Sequence, residues 1–590
     1  MAHSRFEGPD GGDIYDIRLL RRLSRFVAPY KWSFLGTLLL LFGVSAAGLA
    51  GPYITKIAID RYIQRRDMSG LSLIALLYLA AQAVEFGLRY LYLYLMEYNG
   101  QRVTKDLRMA LFTHLESLSL RFYDRHPVGA LMTRLIGDIG VVDEMFTSGL
   151  VSIMGDILML AGIMGMLLYL NWRLALVMLS VVPLIAIAVA VFRQKLRDSF
   201  RLIRSRMAKI NAFLQENISG MVITQVFRRE QKNFAQFDQI NRDYRDAYLK
   251  TISYYAIFFP VTELISALAV ALVVWYGGGQ VLTGALTFGA LVAFIQYIER
   301  FFRPIDDLAE KYNILQSAKA AAERIFGLLD TQEYVSVYEH PKPIEHLSQG
   351  LEFREVWFAY DKEDYVLKGI SFKVSKGHNV ALVGHTGAGK TSIISLLLRF
   401  YQWQKGDILA DGINLRELDI GQWRGRISLV LQEPFLFSGT ILDNIRLGRR
   451  DITPERVEEI ARQVNAHDFI SRLPGGYNQV IQERGGNLST GQRQLIAFAR
   501  ALAFDPEILV LDEATSSVDT ETEMLIQDAL ARLMQGRTSL VIAHRLSTIR
   551  QADHILVLDQ GRVAEEGSHQ ELLARRGLYN RLYQLQFGAG

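Results

Sequence analysis

Apolar residues in the N-terminal half of the chain gather in six stretches, each long enough for a helix that crosses a membrane. A crossing helix needs about 20 apolar residues. Only Asn171, Trp172 and Arg173 separate the third stretch from the fourth, which predicts a tight turn. The predicted spans lie near residues 32–54, 71–95, 145–170, 174–193, 255–277 and 287–308. This pattern predicts an all-α polytopic membrane domain with six transmembrane helices.

Two long charged segments, 96–144 and 194–254, have helical periodicity and almost no proline or glycine. This pattern predicts that the neighbouring span helices continue as long helical extensions into the cytoplasm. Each segment is broken once, at residues 125–129 and at Ser219-Gly220, where we expect short transverse helices that contact a soluble domain. The last span is expected to continue to about Leu329.

Basic residues in the two charged segments predict the orientation of the membrane domain. The positive-inside rule places both segments, and both termini, in the cytoplasm. They include Arg102, Lys105, Arg108, Arg121, Arg125 and Arg134 in the first segment, and Arg197, Arg201, Arg204, Arg206, Lys209, Arg228 and Arg229 in the second. Four basic residues after the first span oppose this orientation but are outweighed: Lys56, Arg61, Arg65 and Arg66.

The N-terminal residues predict a basic amphipathic helix on the cytoplasmic membrane surface. There, Arg18, Arg21, Arg22 and Arg25 alternate with Leu19, Leu20, Leu23 and Phe26. The segment has no apolar core or cleavage site of a signal peptide, and the absence of a targeting segment favours a bacterial plasma membrane over an organellar one.

From about residue 350 the pattern changes to short β-rich runs that alternate with helices, which is typical of an α/β domain with a largely parallel sheet. The runs are Val380–Val383, Ile427–Leu431, Ile508–Leu511, Ser539–Ile542 and Ile555–Leu558. The predicted organisation is a cytoplasmic amphipathic N-terminal segment (1–30), a six-helix transmembrane domain (31–329), a linker with Pro341 and Pro343 (330–349) and an α/β domain (350–590).

Composition agrees with a membrane half joined to a soluble half, because 50% of the residues are hydrophobic while the mean hydropathy is only +0.14. The formal net charge of +4 is small for 590 residues, which argues against a nucleic-acid-binding protein. The chain has no cysteine, so disulfides and thiolate metal sites are excluded.

A phosphate-binding loop is the strongest motif in the chain. It follows the predicted strand Ala381–Val383 and opens the predicted helix Ser392–Phe400, which is the context such a loop requires. The loop consists of Gly384, His385, Thr386, Gly387, Ala388, Gly389, Lys390 and Thr391, and Ser392 follows. Backbone N–H groups would surround the phosphates of ATP, Lys390 would bind the β- and γ-phosphates, and the Thr391 hydroxyl would bind Mg²⁺.

Two acids end the apolar run Ile508–Leu511, where an acid is costly unless a cation or water chemistry uses it. Asp512 is expected to hold Mg²⁺ through water. Glu513 is expected to polarise the attacking water as the general base. A solvated acidic turn is the alternative, and it is weak beside the phosphate-binding loop.

Between these motifs lies Leu488-Ser489-Thr490-Gly491-Gln492, followed by the predicted helix Arg493–Ala503. With this signature the chain resembles an exporter of the ATP-binding cassette (ABC) family over nearly its whole length. The resemblance implies that residues 350–590 are an ABC nucleotide-binding domain, an α/β P-loop ATPase. The resemblance implies that Ser489, Thr490, Gly491 and Gln492 bind the γ-phosphate of ATP held by the opposite nucleotide domain. The helix N-terminus after Ser489 suits that role physically.

The same resemblance assigns roles to further residues. Tyr360 would stack on adenine, Gln432 would sense Mg²⁺ and water, and His544 would contact the γ-phosphate. Asp519 would cross between the two ATP sites, and Glu483-Arg484-Gly485 would contact cytoplasmic helices across the dimer.

Thr490 departs from the family pattern, which usually has glycine there. Threonine adds a branched side chain where the backbone approaches phosphate. One interpretation is a tolerated variant. The other is a heterodimer, because family members with two unequal subunits often carry an altered signature on the subunit that keeps its catalytic glutamate. The presence of both Glu513 and Thr490 slightly favours a heterodimer over a homodimer.

Ionisable residues inside the spans are candidates for a substrate site. Glu85 and Arg89 lie four residues apart, where mutual neutralisation is one explanation; Asp156 and Glu263 have no partner on their own helices. Glu263 follows Pro260, and aromatic residues accompany it: Phe258, Phe259, Tyr90, Tyr92 and Tyr94. Packing between helices remains the favoured alternative for all of them.

The expected function is ATP-driven export of an amphipathic or hydrophobic substrate by alternating access, with this chain as one half of a dimeric transporter in the lipid bilayer. The export direction rests on the family resemblance alone. The alternatives are a flippase for a lipid or lipid precursor and, from another class, a membrane-tethered regulatory ATPase or gated channel.

Overall fold

The computed structural model describes residues 17–334, 338, 340–361, 363–512, 520–543 and 545–587. The chain forms two compact units. The first contains residues 1–116 and 128–331, and the second contains residues 117–127 and 332–590. The segment 117–127 therefore packs with the C-terminal half although it lies between membrane spans in the sequence.

The described part of the first unit is helical. Its helices are α1 (Ile17–Val27), α2 (Lys31–Ile57), α3 (Met68–Ser117), α5 (Val128–Met132), α6 (Ile139–Glu144), α7 (Val151–Leu179), α8 (Val182–Ser219), α9 (Met221–Val226), α10 (Glu230–Leu282) and α11 (Phe288–Leu329). α4 (Leu120–Arg125) belongs to the second unit. α11 ends at Leu329, as the sequence predicts.

Among the described residues, four helical stretches are long and apolar enough to cross a membrane: Arg21–Ile63, Met68–Ser117, Val128–Leu179 and Glu230–Leu282. They contain the first, second, third and fifth predicted spans. The fourth and sixth predicted spans also form helices, in α7–α8 and in α11, but the same measure of hydropathy does not single them out.

The tight turn between the third and fourth predicted spans lies at Asn171. Its backbone is extended, with φ −163° and ψ 104°, inside the otherwise helical α7. The Asn171 side chain accepts a hydrogen bond from the Leu174 N–H at 3.1 Å and donates one to Gln280 at 2.8 Å. The first bond satisfies an N–H at the start of the next helical segment, where no intrahelical acceptor exists.

Pro52 interrupts the hydrogen bonding of α2. Proline has no N–H. The carbonyl of Gly48, four residues earlier, therefore lacks the hydrogen bond that it would otherwise accept within the helix. The Arg300 guanidinium, from α11, donates to this Gly48 carbonyl. One turn earlier in α11, the Tyr297 hydroxyl donates to the neighbouring Leu49 carbonyl at 2.6 Å. Two side chains of α11 thus bind backbone acceptors of α2.

Charged side chains also pair between helices of the first unit. Lys311 in α11 pairs with Asp156 in α7, and both side chains are largely buried. Arg324 binds the buried Asp138 through two hydrogen bonds of 2.9 and 2.6 Å. A bidentate arginine–carboxylate pair of this kind combines charge with a fixed geometry. These pairs fix α11 against the helices between residues 133 and 179.

The described residues of the second unit form twelve strands in three sheets. Its strands are β1 (Gly350–Ala359), β2 (Tyr365–Ser375), β3 (Asn379–Gly384), β4 (Lys405–Ala410), β5 (Ile413–Asn414), β6 (Ile427–Val430), β7 (Gly439–Thr440), β8 (Val480–Ile481), β9 (Ile508–Asp512), β10 (Thr538–Ile542), β11 (His554–Asp559) and β12 (Arg562–Gly567). All five predicted β-rich runs form strands.

Helices of the second unit lie between and after these strands. They are α12 (Lys390–Leu397), α13 (Ile420–Gly425), α14 (Ile441–Arg446), α15 (Pro454–Gln463), α16 (His467–Arg472), α17 (Thr490–Ala503), α18 (Thr520–Met534), α19 (Leu546–Gln551), α20 (His569–Ala574) and α21 (Leu578–Phe587).

The large sheet has the order β12-β11-β3-β10-β9-β6, in which β11, β3, β10, β9 and β6 are parallel and β12 is antiparallel. Ile508 and Val510 of β9 join one hydrophobic core, whereas Leu509 and Leu511 join the other. Alternate residues therefore face opposite cores, as expected for a parallel sheet covered on both faces. A smaller antiparallel sheet has the order β2-β1-β4-β5.

The helix α4 forms at the first predicted break between spans. Phe122 in this helix is only 1% exposed, and the Ser119 N–H donates to the Glu333 carbonyl at 2.8 Å. Arg121 donates to the Tyr360 carbonyl at 3.3 Å, and Arg125 pairs with Asp361. The expected contact between a transverse helix and the α/β domain is present within the second unit.

Candidate functional site

The carboxyl ends of parallel strands form one edge of the large sheet, and three predicted motifs meet there. Gly384 at the end of β3 aligns with Leu558 of β11, and Ile542 at the end of β10 aligns with Asp512 of β9. Val430 at the end of β6 aligns with Leu511. Ligands bind at this edge in open α/β sheets. The sheet register thus places Gln432, Asp512 and the phosphate-binding loop along one edge.

Glycine is required at two positions of the phosphate-binding loop. Gly384 has φ +156°, and a Cβ atom there would lie 2.3 Å from the Leu558 carbonyl oxygen. Gly389 has φ +103°, and its Cβ would lie 2.5 Å from Leu367. The contact at position 384 is with backbone and cannot be relieved by a side-chain movement, and the positive φ at Gly389 disfavours any residue other than glycine. The loop therefore holds its backbone close to β11 and β2, as the motif predicts.

Lys390 lies at the start of α12 and is only 8% exposed. Its ammonium group donates hydrogen bonds to the carbonyls of Gly384 at 2.8 Å and His385 at 3.0 Å. Burial lowers the pKa of Lys390, whereas the nearby negative charge of Asp512 acts to raise it. The ammonium is held inside the loop, while His385, Thr386 and Gly387 are exposed on it.

The predicted Mg²⁺ ligands offer hard oxygen atoms, which Mg²⁺ prefers. Thr391 is exposed at the first turn of α12, Gln432 is exposed after β6, and Asp512 ends β9. Within the described ranges no group of three or more acidic, histidine or cysteine residues could hold a metal by itself. A site with one carboxylate and a hydroxyl fits a Mg²⁺ ion that takes its other ligands from phosphate and water.

Tyr360 lies beside the phosphate-binding loop. Its ring meets Phe358 and Tyr401 edge-on, with ring centres 4.7 and 4.9 Å away. The Tyr360 hydroxyl lies 3.0 Å from the Ser392 hydroxyl in α12. With 36% of the residue exposed, the ring keeps a surface on which an adenine base can stack.

Ser489 caps the signature helix α17. Its hydroxyl accepts a hydrogen bond from the Gln492 N–H at 3.2 Å, and the Gln492 side chain accepts one from the Ser489 N–H at 3.0 Å. This reciprocal capping box fixes the first turn of the helix. The Ser489 hydroxyl keeps its own proton as a donor. Gly491 is buried, whereas Thr490 is exposed.

Three predicted site residues, Glu513, Asp519 and His544, lie outside the described residues. The strands before two of them are described: β9 ends at Asp512, and β10 ends at Ile542. The roles of these three residues stay predictions.

Sequence reasoning did not find two groups of contacts around the site. It predicted that a short helix at the first break contacts a soluble domain, but not that Arg121 and Arg125 contact the Tyr360–Asp361 segment. It also gave no role to Arg493, which contacts Thr490. The break at residues 125–129 and the spacing of two arginines four residues apart were the signals for the first group.

Two matches to protein families cover most of the chain. Residues 34–305 match the family described as ABC transporter transmembrane region, and residues 367–516 match the family described as ABC transporter. A Bacillus subtilis protein named uncharacterized ABC transporter ATP-binding protein YknV is 40% identical over 96% of this chain and 94% of its own length. This chain belongs to the ABC transporter family. The fused order of membrane domain and ATPase domain agrees with the resemblance in the sequence.

Other relatives of this ABC transporter carry more specific names. The probable multidrug resistance ABC transporter ATP-binding/permease protein YheH of Bacillus subtilis is 38% identical over 94% of this chain and 82% of its own length. The ATP-dependent lipid A-core flippase of Syntrophus aciditrophicus is 37% identical over 99% of this chain and 96% of its own length.

A solved structure extends the agreement to the fold. It is described as a bacterial Atm1-family ABC exporter with ATP bound, and it is 31% identical with a TM-score of 0.77, covering 95% of this chain and 99% of that chain. This ABC transporter is a membrane protein of the exporter type. Its ATPase domain binds ATP and couples hydrolysis to transport.

Proposed function

We propose that this ABC transporter subunit works as one half of a dimer, in which each ATP lies between the phosphate-binding loop of one chain and the signature of the other. The observation that carries this proposal is that Ser489 and Thr490 of the signature are exposed at the N-terminus of α17. In the described ranges, no hydrogen bond or ion pair connects residues 384–392 with residues 489–492. A second chain is the natural source of the missing half.

A heterodimer is slightly favoured over a homodimer. Thr490 places a branched side chain at a position where family members usually have glycine, and Glu513 is kept. Expression of the chain alone tests the pairing. Robust ATPase activity that Glu513→Gln removes would establish a homodimer, whereas a folded, ATP-binding chain without activity would establish the need for a different partner.

The position of the motifs at the sheet edge supports the proposed roles of Lys390, Gln432 and Asp512 in hydrolysis, and the family resemblance supports the other roles. Lys390 binds the β- and γ-phosphates, Tyr360 stacks on adenine, and Glu513 takes a proton from the attacking water. Thr391, Gln432 and Asp512 would hold Mg²⁺, which neutralises phosphate charge when bound. His544 would orient the γ-phosphate, and Asp519 would connect the two ATP sites.

Closure of the two ATPase domains is proposed to move the spans through the short helices at the two breaks. α4 is already bound to the Tyr360–Asp361 segment. α9 and the residue that follows it instead expose apolar side chains: Val222, Ile223, Val226 and Phe227. An exposed apolar patch of this kind is typical of a protein contact, and the partner's ATPase domain is the proposed occupant.

The proposed substrate is small and amphipathic or lipid-like. Tyr90, Tyr94 and Tyr98 form an exposed stack along α3, with ring centres 6.4 and 6.2 Å apart. On α10, the exposed Glu263 lies near the exposed Phe259. Aromatic faces and a carboxylate suit amphipathic cations. The multidrug and flippase names of the relatives agree with this class.

A comparison of two probes separates export of drugs from movement of lipids. The transporter is placed in vesicles, and ATP hydrolysis is measured with an amphipathic cationic dye or with added lipid. Stimulation by the dye supports a multidrug exporter, and stimulation by lipid alone supports a flippase. A cytoplasmic position of both termini and of the ATPase domain is proposed from the basic segments. The bacterial sources of the relatives support location in a bacterial plasma membrane.

A further inference from the structure

Arg493, in the first turns of α17, lies where three parts of the signature region meet. Its guanidinium donates hydrogen bonds to the carbonyls of Gly485 at 3.5 Å and Leu488 at 3.3 Å. It also donates to the Thr490 hydroxyl at 3.2 Å. One side chain thus connects the segment 483–485, the residue before the signature serine, and the unusual signature threonine.

The segment 483–485 is shaped to receive Arg493. Gly485 has φ +74°, and a Cβ atom there would lie 2.7 Å from Arg493 Cδ and 3.2 Å from Arg493 Cγ. The arginine stem therefore occupies the space that a side chain at position 485 would fill. Arg484 also has a positive φ of 56°, which costs about 1 kcal/mol or more for a residue other than glycine. Contacts outside the segment must stabilise this conformation.

Thr490 supplies the only side-chain acceptor among the three oxygen atoms that Arg493 contacts. The threonine is exposed, so packing in the core does not account for its branched side chain. A glycine here would leave the guanidinium without its third acceptor. The hydrogen bond from Arg493 is a physical reason for threonine at position 490, where the family usually has glycine.

We infer that Thr490 and Arg493 form a positioning pair that fixes the signature to the segment 483–485. Through this pair, a movement of 483–485 reaches Ser489 and the first turn of α17 by way of one side chain. The inference rests on the proposed function, in which the signature binds ATP held by the opposite chain. It applies to either pairing, because Thr490 would act on the partner's ATP site in a heterodimer and on both sites in a homodimer.

The test compares Thr490→Val, which has nearly the same shape but no acceptor, with Thr490→Ser, which keeps the hydroxyl. Amide hydrogen exchange of the full chain without nucleotide measures the opening of residues 483–490 directly. Loss of one hydrogen bond is worth about 1 kcal/mol, so we expect about fivefold faster exchange in Thr490→Val. Thr490→Ser should stay within about twofold of the wild type. Equal rates of amide exchange for residues 483–490 in Thr490→Val and Thr490→Ser would contradict the proposed pairing of Thr490 with Arg493.

ATP hydrolysis in membranes of the source cells, which hold any partner subunit, tests the positioning role. We expect Thr490→Val to raise the KM for ATP about fivefold. The kcat should change much less, because Lys390, Thr391 and Asp512 are intact. A faster exchange with an unchanged KM would overturn the positioning role. The two measurements can also disagree. If the wild type hydrolyses no ATP but Thr490→Val still exchanges faster than Thr490→Ser, the proposed function is contradicted and the pairing of Thr490 with Arg493 is supported.

Discussion

The ammonium of Lys390 is buried and already surrounded by carbonyl oxygens of its own loop. This arrangement holds a positive charge ready at the sheet edge while glycines keep the loop backbone open to phosphate. A charged hydrogen bond contributes about 1.5–3 kcal/mol. The energy of ATP binding at this site should therefore depend strongly on one side chain.

We predict that Lys390→Ala weakens ATP binding by about tenfold or more. Binding of a fluorescent ATP analogue to the purified full chain measures the effect. Lys376→Ala removes an exposed lysine from the same domain and should leave the affinity unchanged. Equal affinity of Lys390→Ala and Lys376→Ala would show that the loop does not bind the phosphates as described.

Asp411 holds the start of β1, directly after the linker. It accepts hydrogen bonds from the N–H groups of Ser348, Gln349 and Gly350 at 2.5, 2.7 and 2.9 Å. Burial opposes ionisation, but these three N–H groups and Lys376 outweigh it and lower the pKa of Asp411. A carboxylate with a lowered pKa stabilises the fold above its unfolded pKa of about 3.9, and this contribution is lost as the pH falls through the folded value.

We predict that Asp411→Asn destabilises the ATPase domain by about 1–3 kcal/mol at neutral pH. The difference from the wild type should shrink as the pH falls below about 4. Thermal unfolding of the purified chain at several pH values measures it. Asp505→Asn is the control, because Asp505 is an exposed aspartate paired with Arg537. A difference for Asp411→Asn that does not change with pH would contradict the account.

At the scale of elements, the contact of α11 with α2 near Pro52 can be tested by its effect on the free energy of unfolding. Arg300→Gln should destabilise the membrane domain by about 1–3 kcal/mol, because the Gly48 carbonyl loses its donor. In a Pro52→Ala background the loss should be smaller, since an N–H at position 52 supplies the missing bond. The midpoint of thermal unfolding in detergent is compared across the four combinations.

The control for this cycle is Arg89→Gln, which removes an exposed arginine from α3. It should cause the same small change with and without Pro52. If Arg300→Gln has the same effect in both backgrounds, Arg300 does not act through the carbonyl that Pro52 leaves free.

The sequence predicted the elements whose signals are local. The strands β3 and β9, the loop between Gly384 and Thr391, and the helix after Ser489 all follow from spacing within a few residues. Helix capping and glycine conformation depend on neighbours in the sequence, so these features can be recognised without a fold. The break at residues 125–129 was likewise predicted from proline and glycine.

Contacts between distant helices could not be predicted, because they depend on how each helix is rotated against its neighbours. Asp156 has a partner in Lys311, which is 155 positions away. For Glu85, neutralisation by Arg89 stays a prediction; the structure shows only that Glu85 accepts a hydrogen bond from Gln82 at 3.4 Å. The role of Arg300 could not be predicted for the same reason.

At the scale of the whole molecule, α4 offers a test of coupling between hydrolysis and transport. The pair of Arg125 and Asp361 is exposed, so its loss should cost at most about 1 kcal/mol of stability. We predict that Arg125→Asp retains ATP binding but reduces substrate-stimulated hydrolysis about twofold to fivefold. The reversed pair, Arg125→Asp with Asp361→Arg, should recover part of it. ATPase activity in proteoliposomes, with and without substrate, measures the change.

Lys105→Asp is the matched control, since Lys105 is an exposed basic residue in the same charged segment. It should keep substrate stimulation. Equal losses in Lys105→Asp and Arg125→Asp would mean that the net charge of the segment, and not the contact with Asp361, determines the effect.

The central claim is that hydrolysis at the sheet edge drives movement of a substrate across the membrane. The most direct measurement uses inside-out vesicles from source cells that lack the chain and then receive the wild type or Glu513→Gln. ATP-dependent accumulation of an amphipathic dye and movement of a labelled lipid are recorded. The account predicts that the wild type restores at least one of them and that Glu513→Gln restores neither. Equal movement with the wild type and Glu513→Gln, or none above the deletion, would contradict it.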